Sequence, residues 1–300
     1  MEKQAQRPLV GVFWMVTAGL CFVAVTALVK LNGTRLPAAE SAFVRYALGL
    51  VFLIPMMRAL RATTLTLRLW KLVAVRGLFH TFGVTLWFFA MTQISIAEVT
   101  AMNYLTPVFV TVAAALFLGE RLAFRRIIAV LCALLGAMII LRPGFRELSI
   151  GHIAMLAVAC MFCVSYLTAK LLADAVPASV VVSMLSIAVT IGLAPLAFSV
   201  WIPPTLQEVG LLFGVACFAT AGHFAMTLAF ANAPLTVTQP VTFVQLIWAV
   251  SLGYFAFGEA VDIWVILGGF VILCSITFIT WREAVLKRGE ITPGTHAPKG

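Results

Sequence analysis

The chain has 300 residues, of which 63% are hydrophobic and only 10% charged, with a formal net charge of +9. Soluble domains carry about 25% charged residues, so this composition excludes a water-soluble globular fold. The excess of cations calls for no nucleic acid, because its distribution along the chain has another use.

Ten apolar stretches follow one another, at residues 9–30, 40–58, 70–91, 97–118, 125–142, 151–172, 179–201, 209–230, 236–257 and 262–281. Each has roughly the 20 residues that cross ~30 Å of hydrocarbon. In lipid such a stretch must be helical, since its backbone groups have to be satisfied within the segment. The expected fold class is therefore an all-α integral membrane protein of ten transmembrane helices. The first stretch is too long for the apolar core of a secretory leader, and no small-x-small site follows it before Lys30, so it reads as a retained span. Residues 282–300 are polar, contain Gly289, Pro293, Gly294 and Pro298, and read as a disordered cytoplasmic tail.

If the N-terminus is cytoplasmic, the inner segments hold fourteen Lys and Arg and the outer ones only Lys30, Arg35, Arg142 and Arg146. That asymmetry sets both termini inside. All six cysteines fall within spans, and Cys160-x-x-Cys163 has no partner pair, so small packing residues rather than a metal site or disulfide are expected. In the fifth span Ala129, Ala133 and Ala137, with Gly136, form a small-residue face suited to close helix packing, within the chain or as a dimer seam.

The chain repeats itself. Lys30-Leu31 and Pro37-Ala38 return as Lys170-Leu171 and Pro177-Ala178, and Pro55 returns as Pro195, all shifted by 140 residues. With a shift of 139, Gln93 meets Asn232 and Gly119-Glu120 meets Gly258-Glu259. The units expected are residues 9–142 and 151–281, with five helices each. Five is odd, so the two units enter the membrane from opposite sides. Inverted repeats offer two near-equivalent conformations, one open to each side, with a site near the midplane where the halves meet. Architecture alone favours a secondary transporter.

Polar side chains within spans are costly and become candidates by default. Arg45 can snorkel, pair with Glu98 or bind a carboxylate. Arg76, near the start of its span, reads as snorkelling. Glu98 suits the positive end of its helix or a proton or amine site. His80 and His223 can serve as buried carbonyl-bonded histidines or in proton coupling.

Pro107 withdraws the hydrogen bond to the carbonyl of Asn103 and kinks the fourth span. Asn103, Thr106 and Val110 share one face beside Tyr104; Thr242, Gln245 and Ala249 form a comparable stripe near Pro240 and Trp248. A polar stripe avoids lipid, so both are expected to point inward, as cavity lining or as helix–helix hydrogen bonds. Trp14, Trp87, Trp248, Phe243 and Tyr166 lie deep enough to form an aromatic wall. Glu120 and Glu259 close their helices at opposite faces. The dipole at a helix C-terminus disfavours a carboxylate, so each is expected to pair with a cation or cap a neighbouring helix start, as a structural or gating residue.

The run Ala97 to Pro107 with Leu118-Gly119-Glu120, and Phe243-Val-Gln-Leu-Ile-Trp248 with Phe257-Gly258-Glu259, resemble the drug/metabolite transporter superfamily. The likeness is to its ten-helix exporter branch with two EamA-type repeats, and it covers about residues 9–281. The resemblance implies helices 1–4 and 6–9 around a central cavity, with helices 5 and 10 peripheral. It also implies a multi-pass protein of the bacterial cell (inner) membrane that exchanges small organic solutes and uses no cofactor. Small multidrug relatives carry a glutamate in their first helix; here residues 9–30 hold no acid, which speaks against proton antiport by that route.

Rival classes lack their residues: there is no His-Glu-x-x-His, no Gly-x-x-x-x-Gly-Lys, no carboxylate pair at depth and no ring of charges for a channel. The expected function is alternating-access export of amino acids, aromatic or apolar ones first, with aromatic and small amino-acid exporters as the resembling relatives. The alternative is a multidrug or cofactor-like metabolite carrier, for example of S-adenosylmethionine, including uptake. The expected partners are a small-molecule substrate and the lipid bilayer, with the chain a monomer or weak homodimer.

Overall fold

The computed structural model describes residues 8–118, 124–145, 147–173, 175–232, 241 and 243–291. Every regular element among them is helical: α1 Pro8–Asn32, α2 Ala38–Gly49, α3 Met57–Ala62, α4 Leu67–Gln93, α5 Ile96–Asn103, α6 Leu105–Leu118, α7 Phe124–Leu141, α8 Ile150–Ala173, α9 Ala178–Phe198, α10 Leu206–Asn232, α11 Phe243–Phe257 and α12 Ile263–Ile291. Six segments are long and apolar enough to cross a membrane; three shorter apolar helices, Ile127–Leu141, Val244–Phe257 and Ile263–Phe278, and the pair α5–α6 complete the set.

Local departures have local causes. Pro55 has no N–H to donate, and the second span tightens into a 3-10 helix over Leu50–Met56 before continuing as α3. The fourth span breaks at Tyr104, whose N–H bonds Ala101 O at 3.2 Å, three residues before Pro107. Two starts carry reciprocal caps. Ser95 Oγ accepts from Glu98 N at 3.1 Å while Glu98 Oε2 accepts from Ser95 N at 2.9 Å, and Thr205 and Glu208 repeat the exchange ahead of α10. The tail expected from residue 282 is still helical as far as Ile291, because Arg, Glu, Ala, Leu and Lys there all favour helix.

Pairing follows an exchange rule. α1 lies along α10 and α4 along α8, while α2 pairs with α9, α5 with α11, and α7 with α12. Swapping the halves turns the first pair into the second and leaves the other three unchanged, as two inverted five-helix repeats require. The main core is shared between halves, with Phe88, Met91, Met102 and Leu105 packed against Met155, Val158 and Leu193. Outward, Ile191, Phe224, Leu131 and Phe255 are more than half exposed, a belt that lipid rather than water suits.

The α7–α12 seam brings two backbones into close approach. A Cβ at Gly136 would sit 2.7 Å from Gly268 O, and one at Gly268 2.5 Å from Gly136 O. Ala129, Ala133 and Ala137 are buried beside it, so this small-residue face is spent within the chain. Gly268→Leu is expected to force the two backbones apart, costing about 1–3 kcal/mol; an unchanged melting temperature in detergent would contradict the seam.

Candidate functional site

At mid-depth, where α2, α4 and α8 meet, the structure assembles a polar and aromatic cluster. His80 on α4 makes two hydrogen bonds, one of 3.0 Å between Nε2 and Tyr46 Oη on α2, the other of 3.1 Å between Nδ1 and Ser165 Oγ on α8. One imidazole thus joins the first half to the second. Phe162 stacks on the His80 ring at 4.8 Å, and Tyr166 stacks on Phe162 at 5.9 Å. Gly83, one turn along α4 from His80, leaves the room: a Cβ there would lie 2.6 Å from the Phe162 ring.

Two arginines flank the cluster. The Arg45 guanidinium lies 4.0 Å from the centroid of the Tyr46 ring. Arg76 sits one turn from His80 on the same face of α4, is only 8% exposed, and donates from Nη1 to Val181 O at 3.0 Å. Its Nε is buried without a partner. Arg76 therefore does not snorkel; it turns into the protein, within electrostatic reach of Tyr46 and Tyr166. His223, on α10 across from Phe22 at 5.1 Å, lies within reach of both arginines.

Tyr166 is 44% exposed and His223 is exposed as well, so both side chains are accessible beside the buried His80 partners Tyr46 and Ser165.

A second constellation lies at one end of the bundle, called here the Lys30 face. Lys30 pairs with Glu259, whose carboxylate also accepts from Ile96 N at 3.0 Å. Gly258, at φ +64°, turns the chain so that Glu259 N reaches Gly253 O and the carboxylate folds back over Gly253, which has no Cβ to obstruct it. Glu259 thus has both partners that the dipole argument calls for, a cation and the orphan N–H of a neighbouring helix start. Glu98 Oε1 meets His152 Nε2 at 3.0 Å, Arg35 bonds Glu208 at 2.7 Å, Arg142 pairs with Asp262, and Glu40 Oε2 accepts from Ile202 N at 2.9 Å. Each of these contacts joins the two halves. Between them opens a cleft of about 490 Å³, lined by Lys30, Gln93, Ser95, Glu98, His152 and Glu259.

Of the residues expected in the cavity, Arg45, His80, Tyr166 and His223 come together. Glu98 belongs to the Lys30 face, and its partners are Ser95 and His152 rather than Arg45. Trp14 packs with Met15 and Ala225 in the α1–α10 seam, and Trp87 lies half-buried against Phe88. Tyr104 is buried in the main core; Thr106 is 2% exposed with no hydrogen-bond partner for Oγ1. Asn103 is half-buried at the end of α5; Gln245 packs its stem against Gly19 of α1, and Trp248 is 42% exposed. Glu120, Pro240 and Thr242 lie outside the described residues, as do the side chains of Pro107 and Phe243.

Tyr46, Arg76, Phe162 and Ser165 had not been expected. Their signals were present: Arg76 and His80 stand four apart, and Phe162, Ser165 and Tyr166 follow three- and four-residue spacing on one helix face.

Comparison with known proteins fits this architecture. Residues 9–142 match the EamA-like transporter family. A riboflavin transporter of Vibrio cholerae is 30% identical over 95% of this chain and 97% of its own. A pseudopaline exporter of Pseudomonas aeruginosa is 28% identical over 88% and 93%. An S-adenosylmethionine uptake transporter of Rickettsia bellii is 25% identical over 91% and 94%. A solved crystal structure superposes on 92% of this chain and 98% of its own with a TM-score of 0.61 at 19% identity, a likeness of fold alone. With inverted repeats, a deep polar cluster between them and a near full-length relative at 30% identity, the chain belongs to the EamA-like transporter family of multi-pass membrane proteins and is a transporter, not an enzyme.

Proposed function

We propose that the chain is a secondary transporter working by alternating access between units 9–142 and 151–281, with the His80 cluster as its solute site. The observation that carries the reading is the His80 bridge, which joins the two halves at mid-depth beside a three-ring stack and accessible side chains. A site made equally by both halves is reshaped whenever they rock against each other. The ring stack suits a solute with a flat unsaturated part, and the hydroxyls and cations suit a polar handle.

Export of amino acids, aromatic ones first, fits that chemistry. Transport of a larger ring-bearing metabolite fits it too, and relatives named for riboflavin and S-adenosylmethionine favour this second reading. We read the N- and C-termini as cytoplasmic in a bacterial inner membrane, from the fourteen-to-four bias of cations. The Lys30 face is then the outer one, and the chain acts alone or as a weak dimer.

Counterflow in proteoliposomes tests the function. Vesicles are loaded in turn with each of the twenty amino acids, riboflavin or S-adenosylmethionine, against the labelled compound outside. Saturable exchange of tryptophan or phenylalanine supports the first reading, and exchange of riboflavin or S-adenosylmethionine alone supports the second. No exchange with any of them, in protein that melts cooperatively, would remove both.

A further inference from the structure

We infer that the His80 cluster is an anion subsite, and that the solute carried is an aromatic or otherwise unsaturated metabolite with net negative charge, its carboxylate or phosphate held by Arg76 and Arg45. The inference rests on reading this cluster as the solute site and adds the charge class of what binds there.

The argument is one of charge balance. A cation within a membrane-spanning bundle is costly unless something opposite in sign accompanies it. Here Arg76 stands one helical turn from His80, Arg45 packs on the Tyr46 ring whose hydroxyl bonds that imidazole, and neither guanidinium forms an ion pair among the described residues. Of the described carboxylates, Glu40, Glu98, Glu208, Glu259 and Asp262 are engaged at the Lys30 face, and Glu147 lines the cleft there. What the protein supplies instead is neutral: a carbonyl for Arg76 and a ring face for Arg45. The Arg76 side chain is deeply buried, yet its Nε has no acceptor.

An unused donor on a buried cation, beside hydroxyls and stacked rings, is a site prepared for an acceptor that arrives with the solute. Guanidinium groups suit this role because their planar fork matches a carboxylate or phosphate. A neutral solute would leave both charges uncompensated, a zwitterion brings an ammonium along with its carboxylate, and a cation would add to the imbalance. Among ring-bearing solutes of the kinds proposed above, an anionic one is therefore expected to bind best.

The test uses two probe series that vary charge on a constant ring. The first is indole-3-acetate, tryptophan and tryptamine; the second is riboflavin 5′-phosphate and riboflavin. Binding to purified protein is followed by intrinsic fluorescence and by melting temperature. The anion is expected to bind about tenfold or more tightly than its neutral or zwitterionic counterpart in at least one series, and tryptamine weakest. Arg76→Gln is expected to erase that preference, and Arg76→Lys to retain part of it. The wild-type series stands even if a variant fails to fold.

Tryptophan and riboflavin each binding as tightly as its anionic counterpart would overturn the anion assignment and leave the solute site intact. So would Arg45→Gln and Arg76→Gln variants that keep the wild-type order. Failure of every probe to bind, together with no counterflow of any solute, would remove the solute site itself.

Discussion

Glu259→Ala is expected to destabilise the protein strongly, and to slow transport with it. The carboxylate serves two partners at once, the Lys30 ammonium and the first N–H of α5. Removing it leaves a half-buried cation facing the positive end of a helix, so the loss exceeds that of the pair alone. Exposed ion pairs contribute about 0–1 kcal/mol, and breaking a fully buried pair costs about 3–5 kcal/mol. With side chains 25% and 14% exposed, this pair lies between those limits, and a loss of about 2–3 kcal/mol is expected. The double exchange Lys30→Glu with Glu259→Lys restores the attraction but offers Ile96 N no acceptor, so it should recover only part. Melting curves of the three proteins, with counterflow rates beside them, provide the check. A Glu259→Ala protein with wild-type melting would refute the account.

The second large effect is expected at His80. His80→Phe keeps a ring to stack on Phe162 but leaves the Tyr46 and Ser165 hydroxyls without the partners they have now. Each unsatisfied buried hydroxyl costs about 1–3 kcal/mol, and these two belong to opposite halves of the molecule. The bridge would be lost in the conformation described here, so transport is expected to fall about tenfold or more while the protein still folds. Tyr46→Phe removes one bond of the two and should fall between. Counterflow rates at matched protein content, together with melting curves, separate a transport defect from a folding one. Wild-type rates for His80→Phe would show that the imidazole has no part in the cycle.

The helices were legible from hydropathy because lipid permits so few alternatives: an apolar stretch of membrane length has only one way to satisfy its backbone. The break at Tyr104 and the tight turn before Met57 were legible to the degree that Pro107 and Pro55 announce missing donors. The inversion followed from an odd number of spans. Side-chain partnerships were less legible. Arg76 looked like a snorkelling cation because its place near a span end leaves that option open. Only the crossing of α4 over α9 places Val181 O within its reach. Glu98 and Arg45 both looked available to each other, until the Ser95 cap and His152 claimed the glutamate. His152 stands at the start of its span, where the sequence shows no partner for it. Partner choice in these cases depends on the rotation of one helix against another, which hydropathy does not carry.

The helix pairing has an evolutionary reading. The most extensive contacts all run between the halves, and three of the five main pairs set a helix against its own counterpart. Neither half closes over an interior of its own. That is the geometry of an antiparallel homodimer whose two subunits came to be encoded in one chain, with α7–α12 lying where its dyad would pass. The short connection from Leu141 to Ile150 then adds no contact that two separate subunits would lack. It raises the effective concentration of one half for the other, and it frees each copy to diverge. Arg45 and Arg76 exploit that freedom: the positions one repeat length on, at residues 184–185 and 215–216, are Met, Leu, Val and Ala, so the charge sits on one half alone.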